Sequence, residues 1–372
     1  MKKLMMPFIV LLSMIYLFVP CPAAASQTPN AKSAILIDVV SGRVLYSKNE
    51  KERLPMASTT KIMTAITAIE NGRLDDVVTA SFRAQNTGGS SIYLQAGERL
   101  SLEDLLYGLM LESGNDAAVA IAEHIGGSIE GFSRMMNEKA AEIGAFNSSF
   151  ANPHGLDNRE HYTTAEDLGK IASYALRNET FSTIVSTKQK KIPWWGRSYN
   201  RILTNKNKLL WNLEGGDGVK TGYTGNAGRC LVSSATRDGW QLAGVVLNCG
   251  PMWEESINML EYGFSTYKPV TYYEQGQFVK TVAVANGKKD RVRLVTDRLV
   301  RIPLTEEEEE KVIVVEEWED ILRAPVKEGQ TAGSVRVELE GKVLFRANLI
   351  CQESIKEKSL RKLFFEILSN AI

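Results

Sequence analysis

Three short strings contain residue types that together could perform nucleophilic catalysis. They are Ser58-Thr59-Thr60-Lys61, Ser113-Gly114-Asn115 and Lys220-Thr221-Gly222, in this order along the chain. Each string is weak evidence alone, since a serine followed three residues later by a lysine occurs by chance about once in a few hundred residues. Together they supply a hydroxyl, two amines and an amide, the groups that acyl transfer requires.

The first string can pair a nucleophile with a base. Residues three apart share one face of a helix, and the apolar period predicts a helix over 57–70 with Ser58 in its first turn. Lys61 acts as a base only when it is neutral, so burial and a neighbouring cation must lower its pKa, and Lys220 is the candidate neighbour. Standing alone, the string would indicate a capping serine beside a surface lysine.

The second string is expected in a turn between two helices. Ser113 can relay a proton between Lys61 and a leaving amine, whereas Asn115 can hold a substrate amide and Lys61 together. The alternative is an ordinary helix cap, because Ser-Gly-Asn is also good turn chemistry.

The third string is predicted on a strand that precedes a hairpin. Lys220 and Thr221 offer a cation and a hydroxyl to a carboxylate, and Gly222 lets an extended ligand approach the sheet edge. The backbone N–H groups of Tyr223 and Ser58 would form an oxyanion hole. The alternative is a plain turn before a strand.

Strands are expected at both ends of the region that holds these strings, with helices between them. A hairpin turns at Ser41-Gly42, and alternating patterns predict strands over 219–223, 230–236 and 242–247. This order predicts an α+β fold in which one antiparallel sheet, built from both ends, is covered by helices. The helices are predicted over 57–70, 101–113, 117–125, 129–143, 164–175 and 252–264.

A second, smaller unit is expected downstream. After a connector over 265–277, short alternating strands predict an all-β domain, and the acidic run Glu306 to Glu310 is interpreted as a solvated loop. Apolar residues at helical spacing over 356–372, with basic residues at the start, predict an amphipathic helix in a membrane interface. The alternative is a terminal helix docked on the β domain.

The first residues predict export. Lys2 and Lys3 precede an apolar run over 4–18, and Ala23-Ala24-Ala25 follows, which is typical of a signal peptide cleaved after Ala25. A retained anchor is the alternative, although the run is shorter than the roughly 20 residues of a spanning helix. We therefore expect a secreted protein at the outer face of the cytoplasmic membrane. The predicted divisions are 1–25 signal peptide, 26–267 catalytic domain, 268–352 small β domain and 353–372 membrane-associating helix.

Composition argues against other classes of function. The 372 residues carry 44 basic and 44 acidic side chains, so no basic field points to a nucleic-acid partner. The three histidines form no H-E-x-x-H pattern, and we expect neither a metal nor another cofactor. Cys230 and Cys249 flank a predicted hairpin, but buried free thiols are favoured over a disulfide.

The three strings and their surroundings resemble the serine D-alanyl-D-alanine carboxypeptidases, the low-molecular-weight penicillin-binding proteins related to serine β-lactamases. The resemblance covers roughly residues 33–267, and the β domain with its final helix matches the membrane-associated members. It rests on the strings quoted above, with 54–61, 109–117 and Asn152-Pro153-His154-Gly155-Leu156.

The resemblance implies a DD-peptidase fold, a reaction and roles. Ser58 would attack the penultimate carbonyl of a peptidoglycan stem peptide ending in D-Ala-D-Ala, D-alanine would leave, and water would release the acyl-enzyme. β-Lactam antibiotics would acylate the same serine. Lys220, Thr221 and Thr224 would receive the terminal carboxylate. A β-lactamase is the nearest competitor, but the Glu-x-x-Leu-Asn string of class A enzymes does not occur in this chain. Endopeptidase activity and a non-catalytic wall-binding protein are further alternatives.

Overall fold

The computed structural model describes residues 29–359, and its first part is built on one antiparallel sheet. The strands of this part are β1 (Ala31–Asp38), β2 (Val44–Lys48), β3 (Val77–Thr79), β4 (Arg99–Ser101), β5 (Gln189–Ile192), β6 (Arg201–Thr204), β7 (Gly216–Thr224), β8 (Gly228–Arg237) and β9 (Trp240–Cys249). Five of them form the central sheet in the order β2-β1-β9-β8-β7, and all neighbours are antiparallel. The sheet is therefore built from both ends of the region, which confirms the predicted fold.

Helices cover both faces of this sheet. They are α1 (Lys61–Asn71), α2 (Phe82–Gln85), α3 (Leu102–Leu111), α4 (Asn115–Gly126), α5 (Ile129–Ile143), α6 (Ala165–Leu176), α7 (Glu179–Ser186), α8 (Leu209–Asn212) and α9 (Met252–Thr266). Successive strand residues point to opposite faces, so Ile35 joins the core under the helical cluster whereas Leu36 packs with Leu260 of α9. The two apolar layers fix the sheet between the cluster and α9.

The second part is an all-β domain, as predicted. Its elements are β10 (Lys268–Tyr273), β11 (Phe278–Ala285), β12 (Arg291–Thr296), β13 (Val300–Leu304), α10 (Glu306–Glu309), β14 (Val312–Trp318), β15 (Ile321–Arg323), β16 (Thr331–Leu339) and β17 (Lys342–Cys351). Six strands form one sheet in the order β14-β16-β17-β12-β11-β15, and β10 pairs with β13. The predicted connector over 265–277 was wrong in part, because it contains β10.

The acidic run is largely exposed, as predicted, but the prediction of a loop was wrong. Residues Glu306–Glu309 form α10, whose first turn is closed by a capping box between Thr305 and Glu308. The Glu308 carboxylate also binds the guanidinium of Arg43, which lies in the turn between β1 and β2. The same guanidinium donates to the Pro303 carbonyl. One acidic residue of the run therefore joins the two domains.

The chain after β17 also differs from the prediction. Residues 353–359 are extended rather than helical, and Ile355, which is buried, pairs with Val326 in an isolated bridge. The Lys358 N–H donates to the Asn286 carbonyl. This stretch is thus docked on the β domain. The signal peptide expected at 1–25 and the rest of the expected final helix, from 360 onward, lie outside the described residues.

Residues 29–359 contain neither a candidate membrane-spanning helix nor a candidate metal-binding cluster. No helix there is both long and apolar enough to cross a membrane. No group of three or more histidine, cysteine, aspartate or glutamate side chains within the same residues is arranged to hold a metal ion. Cys230, Cys249 and Cys351 are buried free thiols.

Candidate active site

Ser58 lies in a tight turn that leads into α1. Residues Ala57–Thr60 form a 3₁₀ turn, and α1 begins only at Lys61, four residues later than the sequence predicted. The turn starts with a backbone that few L-residues adopt, since Ala57 has φ of +48°. The Thr60 hydroxyl donates to the Ala57 carbonyl at 2.7 Å and holds this conformation.

Lys61 connects the serine to two distant segments. Its fully buried Nζ lies 3.0 Å from Ser58 Oγ, 2.7 Å from Asn115 Oδ1 and 2.6 Å from the His154 carbonyl oxygen. The amide and carbonyl oxygens can only accept, whereas the serine hydroxyl can also donate. A neutral amine has two N–H groups for these oxygens and one lone pair, which is then left for the serine proton.

The electrostatic surroundings favour that neutral amine. Burial lowers the pKa of Lys61 well below 10.5, the positive charges of Lys220 and Lys206 lower it further, and Asp116 opposes them. The sequence indicated Lys220 for this purpose but missed Lys206. Lys61 is thus a buried amine whose pKa two neighbouring lysines lower.

The second string lies between α3 and α4, as predicted. Ser113 is buried and has φ of +65°, and Asn115 is the first residue of α4. The Asn115 amide nitrogen donates to the Gly88 carbonyl at 2.6 Å while its oxygen accepts from Lys61. The Asp116 carboxylate accepts the Ile92 N–H at 3.1 Å, which ties the preceding loop to the same corner.

The third string lies on β7, which is the edge strand of the central sheet. Lys220 is buried, its Nζ donates to the Thr221 carbonyl at 2.9 Å, and burial followed by the charge of Lys206 lowers its pKa to about 7. A Cβ on Gly222 would lie 3.0 Å from the Ser58 nitrogen. The edge of the sheet and the Ser58 turn therefore meet at this glycine.

The last two residues of β7 have different surroundings. The Tyr223 side chain is exposed, whereas the Thr224 hydroxyl donates to Asp157 Oδ1 at 2.7 Å. Asp157 belongs to the loop that follows the Lys61-binding carbonyl of His154. Thr224 therefore ties the open edge of β7 to that loop.

Two contacts near the site, one of Lys206 and one of Gly155, were not predicted from the sequence. Lys206, just after β6, forms an ion pair at 3.1 Å with Glu112, the residue directly before Ser113. Gly155 has φ of +88°, and a Cβ there would lie 1.9 Å from the Ala57 carbonyl oxygen, so the loop is pressed against the Ser58 turn. An isolated lysine and one glycine carry no periodic signal that would reveal these contacts.

His161 of this loop joins two segments of the site through hydrogen bonds. His161 Nε2 lies 2.7 Å from Thr60 Oγ1, and its Nδ1 accepts the Ala151 N–H at 3.0 Å. Burial, followed by the charge of Lys61, lowers the pKa of His161 to about 4. The neutral ring joins the loop to the turn that carries Ser58.

A half-buried serine beside a fully buried lysine, set between a helical cluster and the edge of an antiparallel sheet, is the arrangement of a serine peptidase with a lysine in place of histidine. The sequence model of the family described as D-alanyl-D-alanine carboxypeptidase matches residues 22–250 of this chain. The model described as penicillin-binding protein 5, C-terminal domain, matches residues 267–357. The chain belongs to the D-alanyl-D-alanine carboxypeptidase family.

Relatives and solved structures agree with this family over most of the chain. D-alanyl-D-alanine carboxypeptidase DacF of Bacillus subtilis is 37% identical, with 88% of this chain and 86% of the relative covered. DacC of Escherichia coli is 34% identical over 92% of this chain and 90% of its own. The structure of penicillin-binding protein 5 from Haemophilus influenzae is 30% identical with a TM-score of 0.74, covering 89% of this chain and 99% of that one.

Proposed function

We propose that the protein is a serine D-alanyl-D-alanine carboxypeptidase that removes the terminal D-alanine from peptidoglycan stem peptides and binds penicillin. One observation carries the proposal: the Lys61 amine, with its pKa lowered, lies 3.0 Å from the Ser58 hydroxyl. The family to which the chain belongs supports the choice of substrate.

The proposed reaction uses the neutral amine of Lys61 as base. Lys61 takes the proton of Ser58, whose Oγ attacks the penultimate carbonyl, and Asn115 holds the substrate amide. The N–H groups of Ser58 and Tyr223 stabilise the oxyanion. The carbon–nitrogen bond then breaks, and Ser113 relays the proton from Lys61 to the departing D-alanine amine. Water cleaves the remaining ester and restores Ser58.

The terminal carboxylate of the substrate is proposed to lie against the middle of the edge strand. Lys220 and Thr221 supply a charge and a hydroxyl there, and Lys206 adds a second charge nearby. Gly222 lets the Ser58 turn approach this strand closely, since a Cβ there would lie 3.0 Å from the Ser58 nitrogen. Thr224, whose hydroxyl donates to Asp157, is not part of the proposed carboxylate site.

Replacing the nucleophile tests this function. Ser58→Ala should abolish both D-alanine release from a pentapeptide and the covalent adduct with labelled penicillin. The matched control is Ser182→Ala on α7, which removes a hydroxyl that donates only to the Leu176 carbonyl. Release of D-alanine by Ser58→Ala would refute the assignment, and rapid turnover of penicillin by the unaltered protein would indicate a β-lactamase instead.

We further propose that the mature enzyme is exported and lies at the outer face of the cytoplasmic membrane. The basic and apolar pattern over 1–25 and the amphipathic pattern toward residue 372 support this. Because residues 353–359 are docked on the β domain, the matched test is a chain that ends at residue 359. Sedimentation of that shortened chain with membranes, to the same extent as the full chain, would refute the role of the final segment.

A further inference from the structure

A cavity of about 530 Å³ lies beside the end of β7, outside the residues assigned to the reaction. Arg53, Arg159 and Asp157 contribute its charged groups, and His161, Tyr162 and Asn226 are among its other lining residues. The Thr224 hydroxyl, at the end of β7, donates to Asp157 in its wall. The cavity therefore continues directly from the edge strand that the substrate is proposed to follow.

The direction of the strand decides which part of the substrate reaches this cavity. The carboxylate of the departing D-alanine is placed at Lys220 and Thr221, and the reacting carbonyl beside Gly222, next to the Ser58 nitrogen. A strand rises about 3.3 Å per residue, so Thr224 lies about 7 Å beyond Gly222 on the side away from Lys220. A peptide extended along β7 brings its donor arm, the residues before the penultimate D-alanine, to the cavity.

The charge of the cavity wall favours an anion. Neither Arg53 nor Arg159 forms an ion pair with an acidic side chain within residues 29–359. Arg53 is held in position, since its guanidinium donates to Asn147 Oδ1 at 3.1 Å and lies 5.0 Å from the Tyr162 ring centre.

The remaining titratable groups of the wall leave the excess positive charge in place. The His161 ring is uncharged at neutral pH, because burial lowers its pKa to about 4. Asp157 already accepts the Thr224 hydroxyl with one of its oxygens. The wall thus carries two guanidinium groups and only one carboxylate, Asp157. Guanidinium groups bind planar carboxylates with paired hydrogen bonds, so the wall favours a carboxylate ligand.

We propose that this cavity is a subsite for a carboxylate carried by the donor arm of the peptide, one or two residues before the penultimate D-alanine. The proposal deepens the carboxypeptidase function proposed above and rests on it. Arg53 and Arg159 are then specificity-determining residues that select peptides with a free carboxylate at that position over their carboxamides.

The test uses two pentapeptides ending in D-Ala-D-Ala that differ only in a donor-arm carboxylate or carboxamide. The full chain should prefer the carboxylate peptide by about tenfold in kcat/KM, mostly through KM, and the double variant Arg53→Gln/Arg159→Gln should reduce that ratio to about one. The matched control, Arg323→Gln, removes an exposed arginine on β15 of the other domain and should keep the ratio. Melting temperatures verify that all variants are folded.

Two results would overturn the subsite, and they differ from a failure of the carboxypeptidase function. If the unaltered chain hydrolyses both peptides equally, or if the double variant keeps the tenfold preference, the subsite is refuted while the carboxypeptidase stands. If the unaltered chain releases D-alanine from neither peptide, the proposed function itself fails, and the subsite with it.

Discussion

Gly155→Ala should misplace the catalytic serine without touching any catalytic group. The glycine has φ of +88°, and an added Cβ would lie 1.9 Å from the Ala57 carbonyl oxygen, in the turn that carries Ser58. Ordinary contact begins near 3.4 Å, so the two backbones must separate by about 1.5 Å. Relieving such an overlap costs about 1–3 kcal/mol, in addition to about 1 kcal/mol for an alanine with positive φ.

The loss of activity should be comparable in free energy to the loss of stability, since about 100-fold in rate corresponds to about 2.7 kcal/mol. A displacement of about 1 Å at a reacting group can cost about 100-fold in rate. We therefore expect acylation of Ser58 by a fluorescent penicillin to slow by about that factor in Gly155→Ala. Stopped-flow measurement of adduct formation, with calorimetry for the melting temperature, supplies both readouts.

Gly144→Ala is the matched control for this variant. Gly144 follows α5 with φ of +82°, but the nearest atom to an added Cβ is 3.9 Å away. It therefore carries the conformational cost alone, and its melting temperature should fall slightly while its acylation rate stays normal. If Gly155→Ala acylates within threefold of the unaltered protein, the close contact with Ala57 does not position Ser58, and the reasoning is refuted.

Two further variants test charges in the cleft and between the domains. Lys220→Met should move the acidic limb of acylation to higher pH, because Lys61 acts as a base only when neutral and the variant loses a cation that lowers the pKa of Lys61; an unshifted acidic limb, relative to the exposed Lys327→Met, would contradict this. The pKa of Lys220 is about 7 in the folded protein against an ordinary 10.5, so between these values the unfolded chain binds more protons and stability rises with pH. Lys220→Met should weaken that rise, measured as urea midpoints at pH 7 and 9. Glu308→Gln should lower the melting temperature by an amount equivalent to about 1 kcal/mol, whereas Glu307→Gln, which loses only the exposed pair with Lys311, should not. Equal calorimetric traces for these two glutamate variants would contradict a role of Glu308 in joining the domains.

Local patterns in the sequence predicted most of the helices and strands of the first domain and one contact of the site, between Ser58 and Lys61. The hairpin at Ser41-Gly42 and the caps at Ser101 and Thr164 mark features that depend only on nearby residues, and each lies where it was predicted. Ser58 and Lys61 touch because three residues complete nearly one turn, whether the turn is 3₁₀ or α.

Patterns failed where a polar segment has a specific partner elsewhere. The acidic run was interpreted from its charge alone, yet Glu308 meets Arg43, 265 residues away. The polar stretch after β17 contains Ile355, which is buried against the β domain. The composition of a segment does not show that one of its residues has a partner elsewhere in the chain. That single contact decides whether the segment is docked.

The chemistry of Lys61 was decided by tertiary structure. Its Nζ binds Asn115 and the His154 carbonyl, 54 and 93 residues away, and Lys206 lowers its pKa although no string had indicated that residue. Residue types and spacing showed which groups were available and which neighbours could touch within one turn. Burial and long-range charge depend on how distant segments pack, and these alone set the fraction of Lys61 that is free to accept a proton.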